Sequence, residues 1–151
     1  MVMNLVNMVS IVCQNKPVKI NCEYSQELPR EMIGDPFRVH RILQNLLDNA
    51  VKFTHEGNVT IKVNLKSRMN EKILVQFCIQ DTGIGIPFDK FDDIFEQFTR
   101  LNPTASGVYK GMGLGLHIVK QFVEELGGEI KVSSQLNEGS TFEVLLDFNL
   151  V

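Results

Sequence analysis

Hydrophobic residues along the chain follow two rhythms, and the switches between them mark the elements. Leu5, Met8, Val9 and Val12 recur at helical spacing, and Val18, Ile20, Cys22 and Tyr24 then alternate with polar neighbours. A helix over 2–14 followed by a strand is predicted. Asp35-Pro36 supplies a cap residue and a proline for the first helical position. Val39, Ile42, Leu43, Leu46, Leu47 and Ala50 continue one apolar face, so a helix is expected over 36–53, ending before Gly57. Two alternating runs, Val59-Ile61-Val63-Leu65 and Ile73-Val75-Phe77-Ile79, flank the polar stretch SRMNEK and read as a hairpin with a medium loop.

Downstream of Pro87, Phe91, Ile94, Phe95 and Phe98 have the spacing of a short helix with its aromatic face turned inward, and residues 99–112 then lose all periodicity. Leu116, Val119, Phe122, Val123 and Leu126 form another helical face, which Gly127-Gly128 closes. A last pair of strands, 129–134 and 140–148, is joined across Asn137-Glu138-Gly139. Hairpins with helices between them predict an α+β fold. The expected form is a two-layer α/β sandwich, a mixed and mostly antiparallel sheet with helices packed on one face.

Composition narrows this picture. With 151 residues, 44% hydrophobic and 22% charged, a single domain over 1–151 is expected. Net charge is −3 and the 15 Lys and Arg are scattered, so no nucleic-acid partner is expected. Cys13, Cys22 and Cys78 are odd in number and lack C-x-x-C spacing, which supports neither a disulfide framework nor a zinc site. The opening MVMNLVNMVSIVC has no basic leader and no small-residue cleavage site, and no run approaches the roughly 20 apolar residues of a membrane span. A cytoplasmic domain is the expectation.

Three stretches carry candidate chemistry. On the helix over 36–53, Asn45, Asn49 and Lys52 lie four and three residues apart, within about 60° of one another around the axis. Such a stripe on an arbitrary helix is most often a solvated face. Two poor helix formers one turn apart beside a Lys, however, suit an anion and a metal. KGMGLGLHIVK at 110–120 opens a helix with Gly111, Gly113 and Gly115, and backbone N–H groups bared at a helix N-terminus cradle phosphate. DTGIGIP at 81–87 follows a strand with an acid and two glycines, an ordinary turn when read alone. Neither glycine cluster has the spacing of a P-loop or of a dinucleotide-binding turn.

The order of these pieces is what resembles a known family. NLLDNAVKFT at 45–54, DTGIGIP, FDDIFEQF at 91–98, KGMGLGL at 110–116 and GSTF at 139–142 are similar to the five boxes of sensor histidine kinase catalytic domains, which share the Bergerat-type ATPase fold with gyrase, mismatch-repair and heat-shock chaperone ATPases. The resemblance implies ATP and Mg²⁺ as ligands. Asn49 would bind the metal, with Asn45 and Lys52 on phosphate or on the metal's water shell. Asp81 would accept the adenine amine, and Thr141 would help to hold the ring. Phe53, Gly83, Gly85, Ile86, Leu114, Gly115 and Leu116 complete the implied pocket. Residues 99–112 would be a lid carrying Arg100 and Lys110 to the γ-phosphate, with Met112 where many relatives have Thr.

In hydrolysing relatives the position of Asn45 holds a Glu that activates water, so slow hydrolysis and phosphoryl transfer are implied, with Asn45, Lys52 and Arg100 as the catalytic set. His40, His55 and His117 lack the surroundings of a phosphoacceptor, and no H-E-x-[RK] motif occurs. The resemblance therefore implies an excised catalytic domain, monomeric by itself, that phosphorylates a histidine on the dimerisation domain of a homodimeric parent. A receiver domain or response regulator would take the phosphate next, and an inner-membrane anchor in the parent stays open. A hydroxyl-directed kinase of the anti-sigma type and a non-catalytic nucleotide-binding regulatory module are the alternatives.

Overall fold

A computed structural model of the protein describes residues 1–96 and 115–151. Helix α1 (Val2–Val12) ends in a 3-10 turn at Cys13–Asn15 and leads into strand β1 (Val18–Tyr24), as the change of spacing predicts. The two-residue strand β2 (Met32–Ile33) precedes helix α2 (Pro36–Phe53). The Asp35 carboxylate accepts the Arg38 N–H at 2.9 Å, and Pro36 fills a position whose own N–H would have had no partner. Val39, Ile42, Leu43, Leu46, Leu47, Ala50 and Val51 form the buried face of α2.

The sheet is built from two hairpins. Strands β3 (Gly57–Met69) and β4 (Lys72–Asp81) form one, and β5 (Glu129–Gln135) and β6 (Gly139–Leu150) form the other. β1 runs parallel to β3, and every other pairing is antiparallel. The order is β1-β3-β4-β6, with β5 and β2 sharing the outer edge of β6. Helix α3 (Gly115–Glu125) packs with α2 over the face that carries Val59, Ile61, Val63, Val75, Phe77, Ile79, Val144 and Leu146. This is the expected mixed, mostly antiparallel sheet with helices on one side.

Register decides where the apolar layer stops. Val63-Phe77-Val144-Ile130 and Ile61-Ile79-Phe142-Val132 are successive helix-facing rows across β3, β4, β6 and β5, and both are wholly apolar. The next row is Val59-Asp81-Ser140-Ser134, polar on three strands of four. Because side chains alternate faces along a strand, this row is turned toward the helices like the two before it.

Three local expectations need correction. The SRMNEK loop shrinks to Asn70-Glu71: pairing continues to Met69↔Lys72 past a bulge between Leu65 and Ser67, since exposed polar side chains do not interrupt a backbone ladder. The helix after Pro87 is two 3-10 turns, Phe88–Lys90 and Asp93–Phe95, closed by Lys90 N–H to Pro87 O at 2.9 Å and Glu96 N–H to Asp93 O at 3.0 Å. Ile94 is the one buried residue of the two turns. Phe91 and Phe95 pack against the core as expected, and Phe98 lies outside the described residues. β2 was not foreseen, being too short to show alternation.

The far end of α3 is tied to the start of α2. Arg38 Nε donates to Glu125 Oε2 at 2.8 Å and its guanidinium lies 5.8 Å from the Phe122 ring centroid, while Gln121 donates to the other Glu125 oxygen at 2.9 Å. At the sheet centre, Phe77 is 2% exposed and meets Phe148 edge-on at 6.2 Å. Phe77→Ala is expected to cost about 3–5 kcal/mol of unfolding free energy. Urea denaturation would show it as a lower midpoint with an unchanged slope.

Candidate functional site

Asp81 ends the alternation Ile73-Val75-Phe77-Ile79 and is 8% exposed. Its Oδ1 accepts two backbone N–H groups, from Gly83 at 2.9 Å and from Ser140 at 3.3 Å. No partner for Oδ2 occurs among the described residues. Burial pushes the Asp81 carboxyl above the ordinary carboxylate range, and the two backbone bonds act against that shift. One oxygen is thus spent on holding the backbone, and the other remains an acceptor for something outside it.

The loop after Asp81 is held from both sides by main chain. Ile84 N–H donates to Phe53 O at the end of α2 at 3.1 Å, and Ile84 O accepts from Asn137 N–H in the β5–β6 turn at 2.7 Å. Ile86, itself 7% exposed, donates its N–H to Ser134 Oγ at 2.7 Å. These bonds require close approach. A Cβ at Gly83 would lie 2.3 Å from Phe53 O, and one at Gly85, where φ is +70°, would lie 2.1 Å from Gln135 O. Only glycine meets both conditions at position 85.

On α2, Asn45, Asn49 and Lys52 are each partly buried, and the two Asn lie against the start of α3. A Cβ placed on Gly115 would stand 3.2 Å from Asn45 Oδ1 and 3.7 Å from Asn49 Nδ2, which shows how near the helix start and the amides are. Asn45 donates from Nδ2 to Arg41 O at 2.8 Å, which orients the amide. Lys52 Nζ sits 5.1 Å from the Phe53 ring centroid. Leu116 packs on the core and His117 Nδ1 is 3.3 Å from Phe95 O, so the first turn of α3 is fixed to the turns after Pro87. The early N–H groups of a helix attract anions.

Among the sequence-derived residues, the structure brings together Phe53, Asp81, Gly83, Gly85 and Ile86 as one wall and Asn45, Asn49 and Gly115 as another, with Lys52 beside Phe53 on α2 and Leu116 packed on the core. Arg100, Lys110, Gly111, Met112, Gly113 and Leu114 lie outside the described residues. Thr141 does not join the first wall. It pairs with Gln80 and Ser133, one residue beyond Ser140 and therefore on the opposite face of the pleat. Ser140 stands beside Asp81 instead, with Ser134 next to it. Their signal in the sequence is the shared end of three apolar alternations on Asp81, Ser134 and Ser140, visible only once the strands are paired.

No three His, Cys, Asp or Glu side chains converge among the described residues. A divalent cation at the Asn pair would be held by neutral amide oxygens, hard donors suited to Mg²⁺ when a phosphate supplies the negative charge.

Comparison with known proteins gives a consistent result. The family model of histidine kinase-, DNA gyrase B- and HSP90-like ATPases matches residues 34–150. The chain is 37% identical over 147 residues to the signal transduction histidine-protein kinase BarA of Escherichia coli K12, covering 96% of this chain and 16% of that protein. It is 41% identical over 145 residues to the autoinducer 2 sensor kinase/phosphatase LuxQ of Vibrio parahaemolyticus, covering 94% and 17%. Among solved structures, full-length ShkA in complex with AMPPNP superposes with a TM-score of 0.78 at 29% identity, over 100% of this chain and 31% of that one. The mycobacterial sensor histidine kinase MprB gives 0.74 at 25%, over 99% and 96%. The chain thus spans under a fifth of the curated relatives' length.

Two outcomes follow from the wall. Gly85→Ala is expected to destabilise the protein by at least about 1–2 kcal/mol from backbone conformation alone, read as a lowered melting temperature. Because the folded pKa of Asp81 exceeds its unfolded value, its ionised form weakens the fold at neutral pH, and this cost fades as pH falls through the folded pKa and is gone below the unfolded one. Asp81→Asn keeps an oxygen for both backbone bonds. It should melt at or above wild type at neutral pH, with the difference closing toward about pH 4.

Proposed function

The chain belongs to the histidine kinase-, DNA gyrase B- and HSP90-like ATPase family, and we propose that it is the ATP-binding catalytic domain of a sensor histidine kinase. The observation that carries this reading is the Asp81 carboxylate, buried and fastened through one oxygen while the other stays an acceptor. An acceptor there matches the exocyclic amine of adenine and mismatches the carbonyl of guanine. The glycine-flanked backbone lets a flat base lie against the loop.

The second wall takes the phosphates. Asn49 offers an amide oxygen to Mg²⁺, while Asn45 and Lys52 contact phosphate oxygens or the ion's water shell. Mg²⁺, when bound, neutralises charge on the phosphates. The N–H groups at the start of α3 add a field of the same sign. An amide cannot take a proton from water, so Asn45 disfavours hydrolysis and leaves the γ-phosphoryl for a nucleophile delivered from outside. In the proposed reaction the bond from γ-phosphorus to the β,γ-bridging oxygen breaks, a bond to an imidazole nitrogen forms, and ADP leaves. The imidazole belongs to a histidine on a separate dimerisation domain, since no acceptor motif occurs in this sequence. A receiver domain or response regulator is the next carrier. BarA is named as a signal transduction histidine-protein kinase and LuxQ as a sensor kinase/phosphatase, and ShkA was captured with an ATP analogue, which supports the reading.

Asp81→Asn turns the outward acceptor into a donor. It should weaken ATP binding roughly 10- to 150-fold, the worth of one charged hydrogen bond, measured by calorimetry. Asn49→Ala should remove the Mg²⁺ dependence of binding. Mixing the domain with a histidine-bearing acceptor domain and γ-labelled ATP should give an acid-labile, alkali-stable phosphoprotein. ATP bound with no label transferred would sink the kinase assignment, and unaltered affinity in Asp81→Asn would sink the base assignment.

A further inference from the structure

Ser134 lies at the centre of three polar contacts that the reaction described above does not use. Its Oγ receives the Ile86 N–H at 2.7 Å, lies 2.8 Å from Gly139 O, and lies 2.8 Å from Ser140 Oγ. A hydroxyl has one proton and two lone pairs. Gly139 O is a carbonyl and can only accept, so the Ser134 proton goes there. Ser134 then has two acceptor positions, filled by Ile86 N–H and by the Ser140 hydroxyl. The reverse arrangement, with Ser134 donating to Ser140, leaves two oxygens 2.8 Å apart with no proton between them. The network therefore has a single arrangement in which every contact is satisfied.

That arrangement has a consequence next door. Ser140 spends its proton on Ser134 and presents only lone pairs on its other side. Its own N–H is already on Asp81 Oδ1 at 3.3 Å. The wall built from Asp81 and Ser140 thus offers acceptors and no side-chain donor.

We propose that Ser134 is a positioning residue that sets the hydrogen-bond polarity of this wall, and so its preference for a purine with an amine over one with a carbonyl at the same edge. The inference rests on the base-binding role proposed for Asp81. Without Ser134 Oγ, the Ser140 hydroxyl loses its acceptor, turns and can donate, and a carbonyl base is rejected less strongly.

The test measures dissociation constants of ATP and inosine triphosphate for the whole chain as wild type, Ser134→Ala, Ser134→Thr and Ser140→Ala, with melting temperatures alongside. Wild type should prefer ATP. Ser134→Ala should shrink the ratio of the two constants by about 5-fold, the scale of one neutral hydrogen bond reversed. Ser134→Thr keeps the hydroxyl and should keep the ratio. Ser140→Ala removes the second acceptor and should shrink the ratio as well, which serves the test if Ser134→Ala fails to fold. Both affinities falling together at an unchanged ratio would overturn the proposal and leave Ser134 a merely structural tie. Wild type binding both nucleotides equally would instead overturn the base reading, and the inference with it.

Discussion

The structure turns on one buried carboxylate that is asked to do two things. Asp81 Oδ1 joins the loop that follows it, through Gly83, to a strand far along the chain, through Ser140. Carboxylates resist burial, and among the described residues the resistance is met by two backbone donors, Gly83 and Ser140. Backbone bonds to one oxygen fasten the group and leave its chemistry available. The glycines on either side follow from the same geometry, because the loop can return to Phe53 and to Gln135 only without side chains in the way.

The Asn stripe of α2 obeys a different logic. The loop after Asp81 is held by main-chain bonds, whereas the Asn stripe depends on how α3 sits against α2. That pairing is secured at the end far from the stripe, where Arg38 meets Glu125 and lies over Phe122. Exposed ion pairs contribute little by themselves, so the apolar seam through Val119 and Val123 carries the helix. At the near end Gly115 keeps its backbone against the amides.

Most of this was legible in the chain before the fold was known. Alternation in Val59–Leu65 and Ile73–Ile79, the Asp35-Pro36 start and the Gly127-Gly128 stop each report local physics, and each lies where that physics puts it. What escaped depended on pairing. Ser140 and Ser134 are unremarkable in their own strands and matter because register sets them beside Asp81. Thr141 is the residue the resemblance points to, and a strand read alone does not say which parity faces the site; pairing with Gln80 and Ser133 puts it on the other face from Asp81. The SRMNEK residues looked like a loop because polarity was read as irregularity. The aromatic spacing after Pro87 was real, since Phe91 and Phe95 do pack inward, but periodicity does not reveal that the backbone turns too tightly for an α-helix.

The polar row also ties the site to the folding of the whole molecule. Asp81 and Ser140 are 59 residues apart in sequence, and Ile86 and Ser134 are 48 apart. Contacts of that separation form only after long stretches of chain have closed on themselves. A slip of one position between β4 and β6 would turn Asp81 to the other face and erase the wall while most backbone pairs survived. A competent wall is therefore a checksum on the pairing of β4, β5 and β6: any molecule that has it has already found its correct register there.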